Sequence, residues 1–281
     1  MATLLQVAGF QFDCQLGQAA ANRAVMKDAA RAAAHAGAQL VVFPECAVPG
    51  YCFTSREEAW PHSEPLDGPS SAAMAELCGE IDLHIIYGFL ERDGDRLFNA
   101  LALVGPRGVV AGYRKTHLPF LGVDRFATPG DRPFAVHEVH GVKVGMLICY
   151  DGSFPEAARV LALQGADLIV LSTNWPEGGR CSCTHIPPLR AHENHVYFLA
   201  VNRVGTERGF RFIGQSRLVD WHGETLAAAA GDTPGWFVGM IDAAAARQKR
   251  VINVPGEYEL DRLAHRRPDL YGLIVAPVRG A

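Results

Sequence analysis

The chain of 281 residues lacks the features that would divide it or carry it to a membrane. It has no Ser/Pro linker, low-complexity tract, charge block or short internal repeat, so we expect one domain over residues 1–281. No stretch reads as a membrane segment, and the N-terminus lacks the basic region of a signal peptide. The cytoplasm is therefore the expected compartment.

A concentrated positive charge is also missing. The net charge is −4, the pI is about 6.3, and the basic residues are scattered along the chain. Nucleic-acid-binding proteins usually gather Lys and Arg on one face. The sequence therefore predicts no nucleic-acid partner.

The cysteines do not form a framework, because the seven are odd in number and irregularly spaced. Such a set fits a reducing compartment better than a disulfide scaffold. Cys181, Cys183 and His185 lie close together, but zinc ligand pairs need two to four intervening residues and a second pair elsewhere. We predict no metal and no cofactor, and place these three residues in a loop after Trp175, near the substrate pocket.

What the sequence does contain is a thiol at the end of an apolar run. Cys149 follows Val144–Ile148 and precedes Tyr150 and Asp151. A strand end can hold a nucleophile while the next loop offers backbone N–H groups, such as that of Tyr150, to a developing oxyanion. The alternative is a buried structural cysteine, a common role for this residue type.

Two charged residues occupy similar positions. Glu45 follows the apolar run 40–43, and Lys115 follows a predicted strand over 109–113. Each alone could be a solvated loop residue. Because three strand ends supply a carboxylate, an ammonium and a thiol, we favour a catalytic set.

These three segments, FPE at Glu45, YRKTHLP at Lys115 and ICYD at Cys149, resemble the nitrilase superfamily of carbon–nitrogen hydrolases in this order. The resemblance continues from the first predicted strand at Leu4 to Tyr271. It implies that Cys149 is the nucleophile, Glu45 the general base and Lys115 the stabiliser of the tetrahedral intermediate. The chemistry agrees, since a thiol is only a few per cent ionised at neutral pH and needs a base or a cation.

One position departs from the family pattern. The family has a second glutamate between the lysine and the cysteine, whereas residues 118–130 contain no Glu. Asp124 is the only carboxylate there, so we assign it the role of holding Lys115. A surface or helix-capping Asp is the alternative.

The resemblance also bears on the substrate. Family members that act on true nitriles tend to have Trp after the nucleophile, whereas Tyr150 resembles the amidase and carbamoylase branches. We therefore expect a small amide or N-carbamoyl substrate in a pocket lined by Tyr150, Trp175, Phe120 and Tyr51, although such aromatic residues also occur in cores. A nitrilase, acyl transfer, a glutaminase and a silent binding protein remain alternatives. Glu193, in a segment resembling the family's R-A-x-E-N, is expected to support the site without being catalytic.

The periodicity predicts an α/β protein. Helices are predicted over 19–36, 69–81, 154–164 and 188–195, and strands over 84–91, 100–104, 166–172, 197–202, 214–220 and 236–241. The resemblance implies a four-layer α-β-β-α sandwich and a homodimer or larger oligomer. The stretch from Asp261 to Val278 is the expected contact between subunits, with a tail packed on its own chain as the alternative.

Overall fold

The structure is a computed structural model that describes residues 3–277. The chain divides into two compact units, of which the first ends at Arg247 and the second begins at Gln248. The single domain predicted for residues 1–281 stays a prediction. No helix within the described residues is long and apolar enough to cross a membrane.

The first sheet has six strands in the order β14-β1-β2-β3-β4-β5. Strands β1, β2 and β3 are parallel, and the other neighbours are antiparallel. The strands are β1 (Leu4–Gln11), β2 (Leu40–Val42), β3 (His84–Asp93), β4 (Arg96–Gly105), β5 (Gly108–Arg114) and β14 (Gly235–Asp242).

The second sheet also has six strands, in the order β13-β12-β9-β8-β7-β6. Its three central strands, β7 to β9, are parallel. The strands are β6 (Val136–Val139), β7 (Val142–Ile148), β8 (Leu168–Thr173), β9 (Tyr197–Asn202), β12 (Arg217–Val219) and β13 (Thr225–Ala228). A separate hairpin joins β10 (Val204–Glu207) to β11 (Phe210–Ile213).

The helices cover the sheets. They are α1 (Ala19–His35), α2 (Arg56–Ala59), α3 (Pro69–Ile81), α4 (Pro155–Leu163), α5 (Arg180–Asn194) and α6 (Ala243–Arg247). Pro69 and Pro155 stand at the first position of α3 and α4, where the missing N–H has no intrahelical partner to lose.

Alternation along β4 explains the layers. Leu101 and Leu103 share an apolar core with residues of the second sheet such as Leu199, whereas Ala100 and Ala102 pack in a core with α1 and α3. Successive side chains of a strand point to opposite faces, so one face of this sheet meets the other sheet and the opposite face meets helices. The α/β class is confirmed, and this packing of β4 is consistent with the α-β-β-α sandwich.

Two expectations about α5 are wrong. The helix begins at Arg180, not at Pro188, so Cys181, Cys183 and His185 lie on a helix and not in a loop. A proline pair removes two N–H donors and normally marks a helix start or break. Here α5 contacts β9 and buries Cys183 on its inner face, and this packing keeps the helix intact through the prolines.

Other bounds differ by a few residues. The strand predicted over 214–220 is only Arg217–Val219, because residues 214–216 leave the ladder with Gly214 and Gln215 at positive φ. The helix Pro69–Ile81 and the strand Tyr197–Asn202 have the predicted bounds.

The second unit contains an antiparallel hairpin of β15 (Arg250–Val254) and β16 (Tyr258–Asp261). Arg250 Nε donates to Glu259 across it at 2.8 Å. Farther along, Arg267 pairs with Asp269 at 2.7 Å. The predicted contact stretch that begins at Asp261 lies in this unit, and its last residue, Val278, lies outside the described residues.

Candidate active site

Cys149 occupies a strained turn at the end of β7. Its φ is +44°, a left-handed conformation that costs a residue other than glycine of order 1–3 kcal/mol. Cys149 is also the first residue of a 3-10 turn over Cys149–Ser153. Such strain persists only where the surroundings enforce it, and it marks this turn as a functional candidate.

Asp151 enforces the turn. Its carboxylate is fully buried and accepts hydrogen bonds from the Ile148 N–H at 3.0 Å and the Tyr113 hydroxyl at 2.8 Å. It also accepts from the His117 N–H at 3.0 Å, and His117 Nδ1 lies 2.8 Å from it. Tyr113 and His117 flank Lys115 in the sequence, so Asp151 ties the cysteine turn to the segment that carries the lysine.

Lys115 lies between two carboxylates. Its Nζ donates to Glu45 Oε1 at 2.6 Å and to Asp124 Oδ2 at 2.5 Å, and all three side chains are fully buried. Burial alone would lower the pKa of Lys115, but Asp124, Glu45 and Cys149 outweigh it and raise that pKa well above its usual range. The ammonium therefore stays charged.

Glu45 leaves one oxygen available. Oε1 accepts from Lys115 and from Asn99 Nδ2 at 2.7 Å, whereas Oε2 is buried with no hydrogen-bond partner within residues 3–277. Burial raises the pKa of Glu45 to about 6, Asp124 adds to the increase, and Lys115 and Asn99 oppose it. A carboxylate with a pKa near neutrality can both accept and return a proton.

The surroundings of the Cys149 thiol disfavour its ionisation. Burial and the Glu45 carboxylate raise its pKa well above the ordinary value, against the lowering effect of Lys115 and of a hydrogen bond from the Asn174 N–H. A thiol in this state cannot rely on spontaneous ionisation. It needs a base that removes the proton as the sulfur attacks.

The structure places Asp124 within reach of Lys115, as expected from the sequence. Asp124 lies in a 3-10 turn over Gly122–Arg125, and besides Lys115 it accepts from Tyr51 Oη at 2.8 Å and from Asn99 Nδ2 at 2.8 Å. It is buried, which excludes the surface alternative.

Tyr51, predicted to line the pocket, is part of this cluster. Its ring is buried against Gly122, where an added Cβ would come within 2.5 Å of a ring carbon. Glu207 fixes the Tyr51 segment by accepting from the N–H groups of Tyr51 at 2.9 Å and Cys52 at 2.8 Å. Arg203 in turn holds Glu207 at 2.9 Å.

The other three predicted lining residues differ in exposure. Trp175 is buried, and Tyr150 is 40% exposed with its ring edge against Phe154. Phe120 is 88% exposed and borders a cavity of about 200 Å³ that Arg125 also lines and Cys149 does not. The structure thus brings Tyr51 into contact with Asp124 of the Lys115 cluster and places Phe120 outside that cluster.

Glu193 is linked to the cysteine turn through Arg190. It accepts from Arg190 Nη1 at 2.8 Å, and Arg190 Nε donates to the carbonyl of Gly152 in the cysteine turn at 3.0 Å. Asn194 donates to the Arg190 carbonyl at 2.9 Å. This segment of α5 therefore stabilises the cysteine turn through Arg190.

Sequence reasoning missed Asn99 and the role of Asp151. Asn99 is a polar residue in the buried strand β4, between Phe98 and Ala100, and an isolated amide in an apolar run is the signal that could have pointed to it. Asp151 stands two residues after Cys149, but two of its partners, Tyr113 and His117, come from a distant segment.

Comparisons with known proteins identify the family of this chain. The model of the carbon-nitrogen hydrolase family matches residues 6–251. The chain belongs to the carbon-nitrogen hydrolase family. A protein named nitrilase from Pyrococcus abyssi is 37% identical over 88% of this chain and 94% of its own length. The N-carbamoylputrescine amidase of Solanum lycopersicum is 31% identical over 97% and 95%.

Solved structures extend the likeness to the fold. A carbon-nitrogen hydrolase from Helicobacter pylori G27 superimposes with a TM-score of 0.84, covering 98% of this chain and 99% of that one at 22% identity. This protein is therefore an enzyme of the carbon-nitrogen hydrolase family, and its relatives are named for both amide and nitrile chemistry.

Proposed function

We propose that this carbon-nitrogen hydrolase cleaves the C–N bond of a small amide or N-carbamoyl compound through a thioester on Cys149. The observation that carries the proposal is the buried Glu45–Lys115 pair near the buried Cys149 thiol, with Glu45 Oε2 left unpartnered in the described chain. A free acceptor beside a thiol that must lose its proton is what nucleophilic attack requires.

In the first half-reaction, Glu45 takes the thiol proton as Cys149 Sγ bonds to the carbonyl carbon. Negative charge moves to the carbonyl oxygen, where Lys115 and the Tyr150 N–H stabilise it, and one such donor contributes about 3–4 kcal/mol. The C–N bond then breaks as Glu45 returns the proton to nitrogen. Ammonia or an amine leaves, and a thioester remains.

In the second half-reaction, Glu45 removes a proton from water, which attacks the thioester carbon. The C–S bond breaks, the acid leaves, and the sulfur regains its proton from Glu45. One carboxylate serves both steps because it ends each in its starting state.

The test is a screen for ammonia release from small amides, N-carbamoyl amino acids and nitriles, with the Cys149→Ala variant as control. We expect turnover of the first two classes by the wild type and none by the folded variant. Turnover of nitriles alone would replace the amidase assignment with that of a nitrilase. Residual activity in the Cys149→Ala variant would show that Cys149 is not the nucleophile. Added hydroxylamine would reveal acyl transfer as a hydroxamate.

The assembly and compartment are separate proposals. We keep a homodimer or larger oligomer, formed in the cytoplasm, as the expected state. Light scattering at micromolar concentration should give a mass of at least twice the 30.4 kDa of one chain. A mass of one chain would exclude the dimer.

A further inference from the structure

Asn99 contacts every charged member of the cluster. Its Nδ2 donates to Glu45 Oε1 at 2.7 Å and to Asp124 Oδ1 at 2.8 Å. Its backbone carbonyl accepts from the Lys115 N–H at 2.8 Å. One fully buried residue therefore links the two carboxylates and the backbone of the lysine.

The amide of Asn99 has a fixed orientation. The Cys46 thiol donates to its Oδ1 at 3.5 Å, on the side opposite the carboxylates. Both N–H groups then face Glu45 and Asp124, and the carbonyl oxygen faces Cys46. A flipped amide would set its oxygen against two carboxylates, so the donors cannot exchange with the acceptor.

The charges explain why an amide suits this place. Two acidic side chains share one ammonium in a buried cluster, so the acids outnumber the cation. Hydrogen bonds to a carboxylate favour its ionised form. An amide supplies one donor to each carboxylate without adding charge, whereas a hydroxyl supplies one donor in all and a third carboxylate would add repulsion.

We propose that Asn99 is a positioning residue that holds Glu45 and Asp124 turned toward Lys115 and so leaves Glu45 Oε2 free to take the thiol proton. The inference rests on the proposed function of Glu45 as base. Asn99 touches no reacting atom itself; it acts by holding Oε1, so that the second oxygen alone is available. Removing its donors raises the pKa of Glu45, since Asn99 is one of the groups that lower it.

The experiment measures alkylation of Cys149 by iodoacetamide as a function of pH, with the site located by mass spectrometry. This readout reports proton removal from the thiol and needs no substrate. Asn99→Leu, of similar size and without donors, should react roughly 10- to 100-fold more slowly at neutral pH, the range for losing a hydrogen bond to a charged group. The midpoint of its pH profile should move upward.

Asn22→Leu is the matched control. Asn22 is also buried, and its Nδ2 also donates to two acceptors, the carbonyls of Gln15 and Val48, both at 2.8 Å. This variant should lose stability and keep the wild-type midpoint. An Asn99→Leu protein that matches Asn22→Leu, with lower stability and an unchanged midpoint, would overturn the proposal.

A second variant covers the case in which Asn99→Leu does not fold. The hydroxyl of Asn99→Ser can donate to only one carboxylate, so its midpoint should move upward by less, and an unmoved midpoint would overturn the proposal. If the midpoint moves as expected while the wild type hydrolyses no amide, carbamoyl compound or nitrile, the proposed function fails and the positioning role stands.

Discussion

Arg114 and Lys115 are neighbours at the end of β5, yet they enter two different charged clusters. Arg114 pairs with Glu91 at 2.6 Å, Asp93 at 3.0 Å and Asp131 at 2.9 Å. Lys115 pairs with Glu45 and Asp124. Both cations are buried, and both are surrounded by carboxylates, so the number of ion pairs alone does not distinguish a structural cluster from a reactive one.

The difference lies in what each cluster leaves unused. The guanidinium of Arg114 donates through Nε, Nη1 and Nη2, and its acids Asp93 and Asp131 are partly exposed. The Lys115 ammonium uses two of its three N–H groups on the described carboxylates, and Glu45 keeps Oε2 without a partner there. One donor and one acceptor thus remain beside a thiol, which suits a reaction, whereas the Arg114 cluster is saturated, which suits a structural role.

The largest expected effect is on turnover in the Lys115 cluster. Glu45→Gln and Lys115→Ala should each lower kcat by roughly 10³-fold or more, and the double variant should lose little further, since residues that act as a unit are not additive. Steady-state ammonia release measures this. Additive losses, or a Lys115→Ala enzyme near wild-type activity, would remove the distinction between the clusters.

Arg114→Met should affect stability instead. Removing one partner of a buried ion cluster leaves carboxylates uncompensated and costs about 3–5 kcal/mol of unfolding free energy. Denaturant unfolding measures the loss, and kcat per folded molecule should stay within a few-fold of wild type. A stable but inactive Arg114→Met protein would contradict a structural role.

Asp124→Asn should give a smaller loss of turnover. It retains the size of the side chain but weakens the hold on the Lys115 ammonium, so kcat should fall by roughly 10²-fold with little change in Tm. Asp131→Asn is the matched control at the Arg114 cluster and should leave kcat unchanged. An Asp124→Asn enzyme with wild-type kcat would show that Asp124 is not needed to hold the Lys115 ammonium for turnover.

The two clusters should respond to pH in opposite directions. Glu45 has a folded-state pKa of about 6, above its ordinary 4.5, so its contribution to stability is present below pH 4.5 and is lost as the pH rises through 6. The pKa values of Asp93 and Asp131 are lowered by Arg114, so their contribution is present above 3.8 and is lost at lower pH.

The pH dependence of activity tests the raised pKa of Glu45. Because Glu45 must be ionised to act as base, kcat/KM should fall about tenfold per pH unit below about 6. Glu45→Gln should remove the change in stability between pH 4.5 and 6, and Asp131→Asn should leave it intact. A kcat/KM that stays constant as the pH falls to 5 would argue against Glu45 as the base.

Local patterns in the sequence determined much of this protein. Apolar runs and proline at helix starts predicted the α/β class, and the strand-end positions of Glu45, Lys115 and Cys149 marked them as candidate site residues, because strand ends and helix starts depend on neighbouring residues. The helix Pro69–Ile81 has its predicted bounds for this reason. The family resemblance supplied the four-layer arrangement.

Only the tertiary structure decided which polar residues meet. Asn99 comes from β4, Asp124 from a turn after β5, and Tyr51 from a loop after β2, and no spacing in the sequence relates them. The same holds for α5, where packing against β9 outweighs two prolines. Contacts between segments far apart in the chain depend on which strands share a sheet. The placement of β2, β4 and β5 in the first sheet, not local propensity, holds one oxygen of Glu45 and leaves the other without a partner among residues 3–277.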